Sequence, residues 1–251
     1  MRWRVPGQVV QVCKDVERGK AFYNGLQVCA SVWSCPVCAS KISERRRVEM
    51  AAAMAVAKAK GLHVWLLTLT IPHGLGDPLA ETMEKLTRAM RYFGTGRPAA
   101  TWRKGLGLIG TVRALEVTHG ANGWHPHFHV LMFLDRSIEP LEARKAGSLL
   151  WQKAAVRAGL PAPHLVHGFD LQDGSWAERY VTKWGLESEM TKGHLKAARG
   201  RNGTSVWGLL AMVLEEDDEQ AAARFVEFSQ AFKGQRQLWW SHGLKALLAV
   251  E

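Results

Sequence analysis

The sequence predicts an α+β fold: a central antiparallel sheet with helices packed on it, preceded by a small cysteine-rich zinc module. Three observations carry that prediction. From residue 62 onward the element patterns run strand, helix, strand, strand, helix, strand, helix. Two long strand patterns, 107–118 and 125–134, flank a short segment containing Asn122-Gly123, a hairpin turn signal. All four cysteines fall between positions 13 and 38 of the 251 residues, which in a chain read as cytosolic suggests a metal site over disulfides.

Taken in order, residues 1–40 are rich in Gly, Cys and small polar residues, with short strand-like pieces such as Val9-Val10-Gln11-Val12. A helix is expected over 39–60, capped by Ser40 and ended by Gly61. Arg45, Arg46 and Arg47 within it fit either a solvated face or a phosphate contact. Residues 62–71 read as a buried strand closed by Pro72, with Thr68 and Thr70 on one face and Leu67, Leu69 and Ile71 on the other. A helix follows over about 78–93 and a loop over 94–98. After the hairpin come a helix near 139–158, a short strand near 164–171 and a helix near 174–187. An apolar piece (206–214), an acidic run (215–219) and a helix to about 233 complete the pattern. The expected organisation is a cysteine-rich module with its connecting helix over 1–60, a core domain over 61–200 and a helical extension over 201–251 that packs on the core.

Charge narrows the partners. Lys and Arg number 33 against 23 Asp and Glu, a net +10, which favours a polyanion. Eleven tryptophans serve chiefly as core, although bases of single strands also stack on such rings. No apolar run reaches the ~18 residues of a spanning helix, and the start lacks a signal-peptide pattern. The expectation is therefore a cytoplasmic protein with no membrane partner.

The most informative stretch is His125-Pro126-His127-Phe128-His129. On a strand, alternate residues share a face, so the three imidazoles project together and Pro126, Phe128 and Val130 turn to the core. Imidazole is the commonest protein metal ligand, and Mg or Mn also asks for oxygen. If the hairpin centres on Ala121-Asn122, Glu116 lies directly across from His127, within the cross-strand spacing of about 5 Å. A slip of one residue would bury Glu116 in the core. The expected catalytic metal set is Glu116, His127 and His129 with Mg or Mn. His125 shares their face as a contact for phosphate or ligand. Cys13, Cys29, Cys35 and Cys38 are expected to hold a structural zinc ion, with His63 as a possible substitute for one of them.

Together these motifs resemble the HUH endonucleases, and among them the rolling-circle replication initiator (Rep) proteins of plasmids and phages. Leu67-Thr68-Leu69-Thr70 resembles their first motif. The strand 113–118 and the segment Gly123 to His129 resemble the metal-binding second motif. Tyr180-Val181-Thr182-Lys183 matches their Y-x-x-K motif, and Cys35-Pro36-Val37-Cys38 resembles a module found ahead of the domain in some members. The resemblance implies that Tyr180 attacks a phosphodiester of single-stranded DNA and keeps the 5′-phosphate, with a 3′-OH released. Tyr180 and Lys183 share a helix face at i, i+3. A nearby cation favours the phenolate of a side chain whose free pKa is about 10. The positions one turn either side of Tyr180 are Trp176 and Trp184. The site therefore has a single tyrosine, and the two indoles fit base stacking or core packing. Implied partners are single-stranded DNA, origin duplex DNA and a host helicase. Three other readings stay open: a single-tyrosine transposase, a histidine-triad nucleotide hydrolase, and a non-catalytic zinc DNA-binding module.

Overall fold

A computed structural model describes residues 2–17, 19–174, 177 and 203–250. The N-terminal module is built from two small antiparallel ladders. Strand β1 (Arg2–Arg4) and β2 (Gln11–Asp15) are followed by β3 (Lys20–Asn24) and β4 (Leu26–Val28), with β1 paired to β4 and β2 to β3. Helix α1 (Pro36–Ala59) leaves this module. Its cap is Cys35 and not the expected Ser40, because Pro36 has the fixed φ and missing N–H that suit the first turn.

The core sheet has six strands, all paired antiparallel. Strand β5 (His63–Leu69) leads to helix α2 (Leu79–Phe93) and helix α3 (Arg97–Gly105). The loop expected at 94–98 is thus only partly a loop: Gly96, at φ 87°, turns the chain and a proline in the first turn starts α3. The long hairpin is β6 (Leu108–Gly120) and β7 (Gly123–Leu134), followed by α4 (Pro140–Arg157) and β8 (Phe169–Gln172). Beyond residue 202 the chain supplies two more strands besides helices. These are β9 (Thr204–Ser205), α5 (Val206–Glu216), α6 (Glu219–Ala231) and β10 (Leu238–Trp240). The order across the sheet is β10-β6-β7-β5-β8, with β9 also on β6. The acidic run forms the joint between α5 and α6, where Asp218 accepts bonds from the amides of Gln220 and Ala221.

Burial differs between the two ends of the sheet. On one face Leu67, Leu69, Leu115, Phe128, Val130 and Met132 pack under α2, α4 and the C-terminal helices. The other face is covered, among the described residues, by α1 and the C-terminal segment. There Val64, Leu66, Val112, Leu131 and Phe133 meet Met50, Ala53 and Ala57 of α1, together with Ala177, Leu244 and Leu248. Alternation along β7 places His125, His127 and His129 on this second face, on the hairpin-tip side of Leu131. Buried indoles find backbone acceptors: Trp151 donates to the Thr70 carbonyl at 2.8 Å, and Trp33 to that of Gln235 at 2.8 Å. Glu227 on α6 accepts from the Trp124 indole at 2.8 Å and from the Leu79 amide at 3.0 Å, tying the first residue of α2 to the hairpin. Among the described residues no helix is long and apolar enough to cross a membrane.

The hairpin turn fixes the register. Ala121 and Asn122 keep negative φ while Gly123 takes φ 82°, the pattern of a turn completed by a left-handed glycine. A Cβ at Gly123 would lie 2.7 Å from the Gly74 carbonyl oxygen, so glycine is required by space as well as by φ.

Candidate functional site

Cross-strand pairing assembles the first site. Glu116 is paired with His127, Ala114 with His129, and Thr68 on β5 with the other side of His129. Glu116 Oε2 lies 3.7 Å from His127 Nε2 and 3.6 Å from His129 Nε2. These separations exceed a hydrogen bond and suit an ion bridged by bonds of about 2.0–2.2 Å. The three side chains form a group able to hold a metal ion.

Hydrogen bonds at the far side of each ring set the tautomers. His127 Nδ1 donates to the His125 carbonyl at 3.1 Å, which leaves Nε2 with its lone pair toward Glu116. His129 Nδ1 meets the Thr68 hydroxyl at 2.9 Å; with the hydroxyl accepting, Nε2 is again the bare nitrogen. This is the second-layer support that metal-binding histidines use. His73 extends it. Its Nδ1 donates to the Asn122 carbonyl at 2.9 Å, so its Nε2 accepts from His125 Nδ1 at 2.6 Å.

Electrostatics favour neutral imidazoles. Burial pushes His129 down to about 4, with the charge on His127 adding and the carboxylates of Glu116 and Asp170 opposing. Burial likewise takes His125 down to about 4, helped by charges on His127, His73 and His129. For His127, burial also works against protonation, but the contact and charge of Glu116 outweigh it and the net direction is upward. A donor set of two imidazoles and one carboxylate fits Mn or Mg, with Mn the better match to nitrogen.

Thr68, His73 and Asp170 are functional neighbours that the sequence reading missed. Asp170 pairs across β8 with Thr68 and lies on the same sheet face. Thr68 could be placed on a face by alternation, but its contact with His129 depends on a β5–β7 pairing between segments 61 residues apart.

The second site is at the start of α1. The sulfurs of Cys29, Cys35 and Cys38 form a group able to hold a metal ion, with Cys29 and Cys38 3.2 Å apart. Cys35 Sγ accepts the Cys38 amide at 3.5 Å, and that bond is the main reason its thiol falls to about 6, giving the thiolate that zinc binds. Cys13, expected as a fourth ligand, is not in this group. It sits within β2, paired with Phe22, in the separate β2–β3 ladder. Tyr180, Lys183, Trp176 and Trp184 lie outside the described residues.

A profile of the family described as Replication protein matches residues 21–156, over half of the chain. Protein rep of Streptomyces lividans is 28% identical over 302 aligned positions, covering 93% of this chain and 66% of that protein. Neomycin resistance protein of Streptomyces cyanogenus is 33% identical over 141 positions, covering 46% of this chain and 32% of that protein. The chain spans less than two thirds of the length of either curated relative. No solved structure matches.

Three outcomes are expected from the geometry. Thr68→Val removes the hydroxyl that orients His129 and should weaken Mn²⁺ binding, read by calorimetry, by about tenfold. Mn²⁺ affinity should fall as pH drops through neutrality. Protons compete with the ion first at His127, whose pKa is raised by Glu116, while His129 stays neutral down to about 4. Calorimetry in buffers of differing ionisation enthalpy should then show proton release on ion binding that grows as the pH is lowered. For the sulfur site, Cys13→Ser should retain zinc by elemental analysis, whereas Cys35→Ser should lose it.

Proposed function

The chain belongs to the Replication protein family, and on that premise we propose that it initiates rolling-circle replication by nicking and rejoining single-stranded DNA through Tyr180. The observation that carries this reading is the convergence of Glu116 with His127 and His129, each imidazole directing Nε2 inward. A cation bound there would neutralise phosphate charge and make phosphorus more electrophilic. Glu116, His127 and His129 hold and orient that site, and His125 offers a further contact to a phosphate oxygen.

Tyr180 is the nucleophile. Its phenolate oxygen forms a bond to phosphorus, the bond from phosphorus to the 3′-oxygen breaks, and that oxygen leaves as a 3′-OH after taking a proton. Lys183 supplies a positive charge that favours the phenolate. Attack by the 3′-OH on the phosphotyrosine reverses the sequence and reseals the strand. Ala177, three residues before Tyr180, is buried in the cluster on the histidine face of the sheet. The DNA partners, single-stranded and origin duplex, follow from the same reading, as does recruitment of a host helicase.

A carboxylate beside Nε2 of the middle histidine argues against a histidine-triad hydrolase. There that nitrogen attacks phosphorus, and an uncompensated Glu116 would repel the incoming phosphate.

The test is adduct formation. With Mn²⁺ and a labelled single-stranded oligonucleotide, the wild-type chain should give a denaturation-resistant protein–DNA band. Tyr180→Phe should abolish it, and His127→Ala should reduce it by at least about a hundredfold. An adduct that persists in Tyr180→Phe defeats the assignment.

A further inference from the structure

A cavity of ≈ 690 Å³ lies on the Phe128 side of the sheet, between the C-terminal end of α2, helix α3 and the edge strand β10. The metal-site candidates are on the other face. Its floor is apolar, formed by Leu67, Val130 and Met132, and indoles of Trp102 and Trp239 line its walls. Four permanent cations also line it: Arg91, Arg103, Lys104 and Arg113. Among the described lining residues there is no Asp or Glu.

Arg113 makes the cavity unusual. It is three residues from Glu116 on β6 and points to the opposite face. Its guanidinium lies 5.0 Å from the Phe128 ring and 5.3 Å from the Trp239 ring, two cation–π contacts. Burial lowers its pKa, with no neighbouring carboxylate among the causes. A desolvated cation of this kind is costly without an anion, and the described residues supply none. Two requirements on a ligand follow. It must carry negative charge for Arg113 and the rim, and a flat apolar body for the indole wall and floor. The volume falls in the range of about 300–1,000 Å³ typical of small-molecule sites, far more than an inorganic anion needs.

We propose that this cavity binds a phosphorylated nucleoside, with the phosphate on Arg113 and the rim cations and the base against Trp239. Such a unit comes either from a single-stranded DNA that rounds the β10 edge or from a free nucleotide. The site is separate from the Glu116–His127–His129 group, so it stands or falls independently of the nicking reaction.

Calorimetric titration of the full chain in EDTA tests this, with deoxyadenosine monophosphate, a short oligothymidylate and pyrophosphate as probes. One or both of the base-bearing probes should bind more tightly than pyrophosphate. Arg113→Met and the rim variant Arg103→Glu should each weaken that binding by about tenfold or more. Tight binding of the mononucleotide marks a free-nucleotide site; binding of the oligonucleotide alone marks a strand site. Arg103→Glu keeps the test decisive should Arg113→Met fold poorly, and an unchanged circular dichroism spectrum and melting temperature report an intact fold. Equal affinity in wild type and Arg103→Glu, pyrophosphate binding as tight as the tighter base-bearing probe, or no binding of either base-bearing probe would overturn the proposal.

Discussion

The pairing register of β6 with β7 is the constraint on which the site depends. Side chains alternate with a period of two, so one step of slip would carry Glu116 into the layer of Leu115 and Phe128, and Leu115 onto the histidine face. Three features hold the register: the left-handed Gly123, the close approach of Gly74, and the burial of Leu115, Val117, Phe128 and Val130 on one side. The same apolar packing that stabilises the hairpin therefore fixes a carboxylate against two imidazoles.

Much of this was legible in the sequence because it is local. The His-x-His-x-His alternation, the Asn-Gly turn and the flanking apolar residues together predict the Glu116–His127 pairing that is observed. Features that depend on distant segments were not legible. Thr68 reaches His129 only through a strand pairing made by tertiary folding, and His73 reaches His125 from a loop. Strands β9 and β10 are two and three residues long, too short for periodicity to announce. Cysteine spacing suggested four ligands, but spacing carries no information about the ladder that holds Cys13 apart. At α3, Pro98 follows Gly96 and Arg97 in a run that reads as a turn, yet proline in a first turn also begins helices.

The two metal-site candidates differ in a way that sorts ions. Thiolates of Cys29, Cys35 and Cys38 are soft and exposed to half-buried, next to a helix N-terminus. The Glu116–His127–His129 group mixes imidazole with oxygen and is mostly buried, with side-chain exposures of 35%, 12% and 17%. Sulfur donors favour a soft ion such as zinc at the first, while the carboxylate of the second adds an oxygen donor suited to harder ions.

Strands contributed from beyond residue 202 have a consequence for how the molecule is dissected. One side of β6 is hydrogen-bonded to β7 and the other to β10 at Val112–Ala114 and to β9 at Thr118–His119. A fragment ended before these strands would expose a row of bare amides and carbonyls beside the histidine-bearing hairpin, the kind of border along which foreign polypeptide adds and aggregates. Good behaviour of the hairpin in solution is thus encoded largely by a tail far from it in sequence.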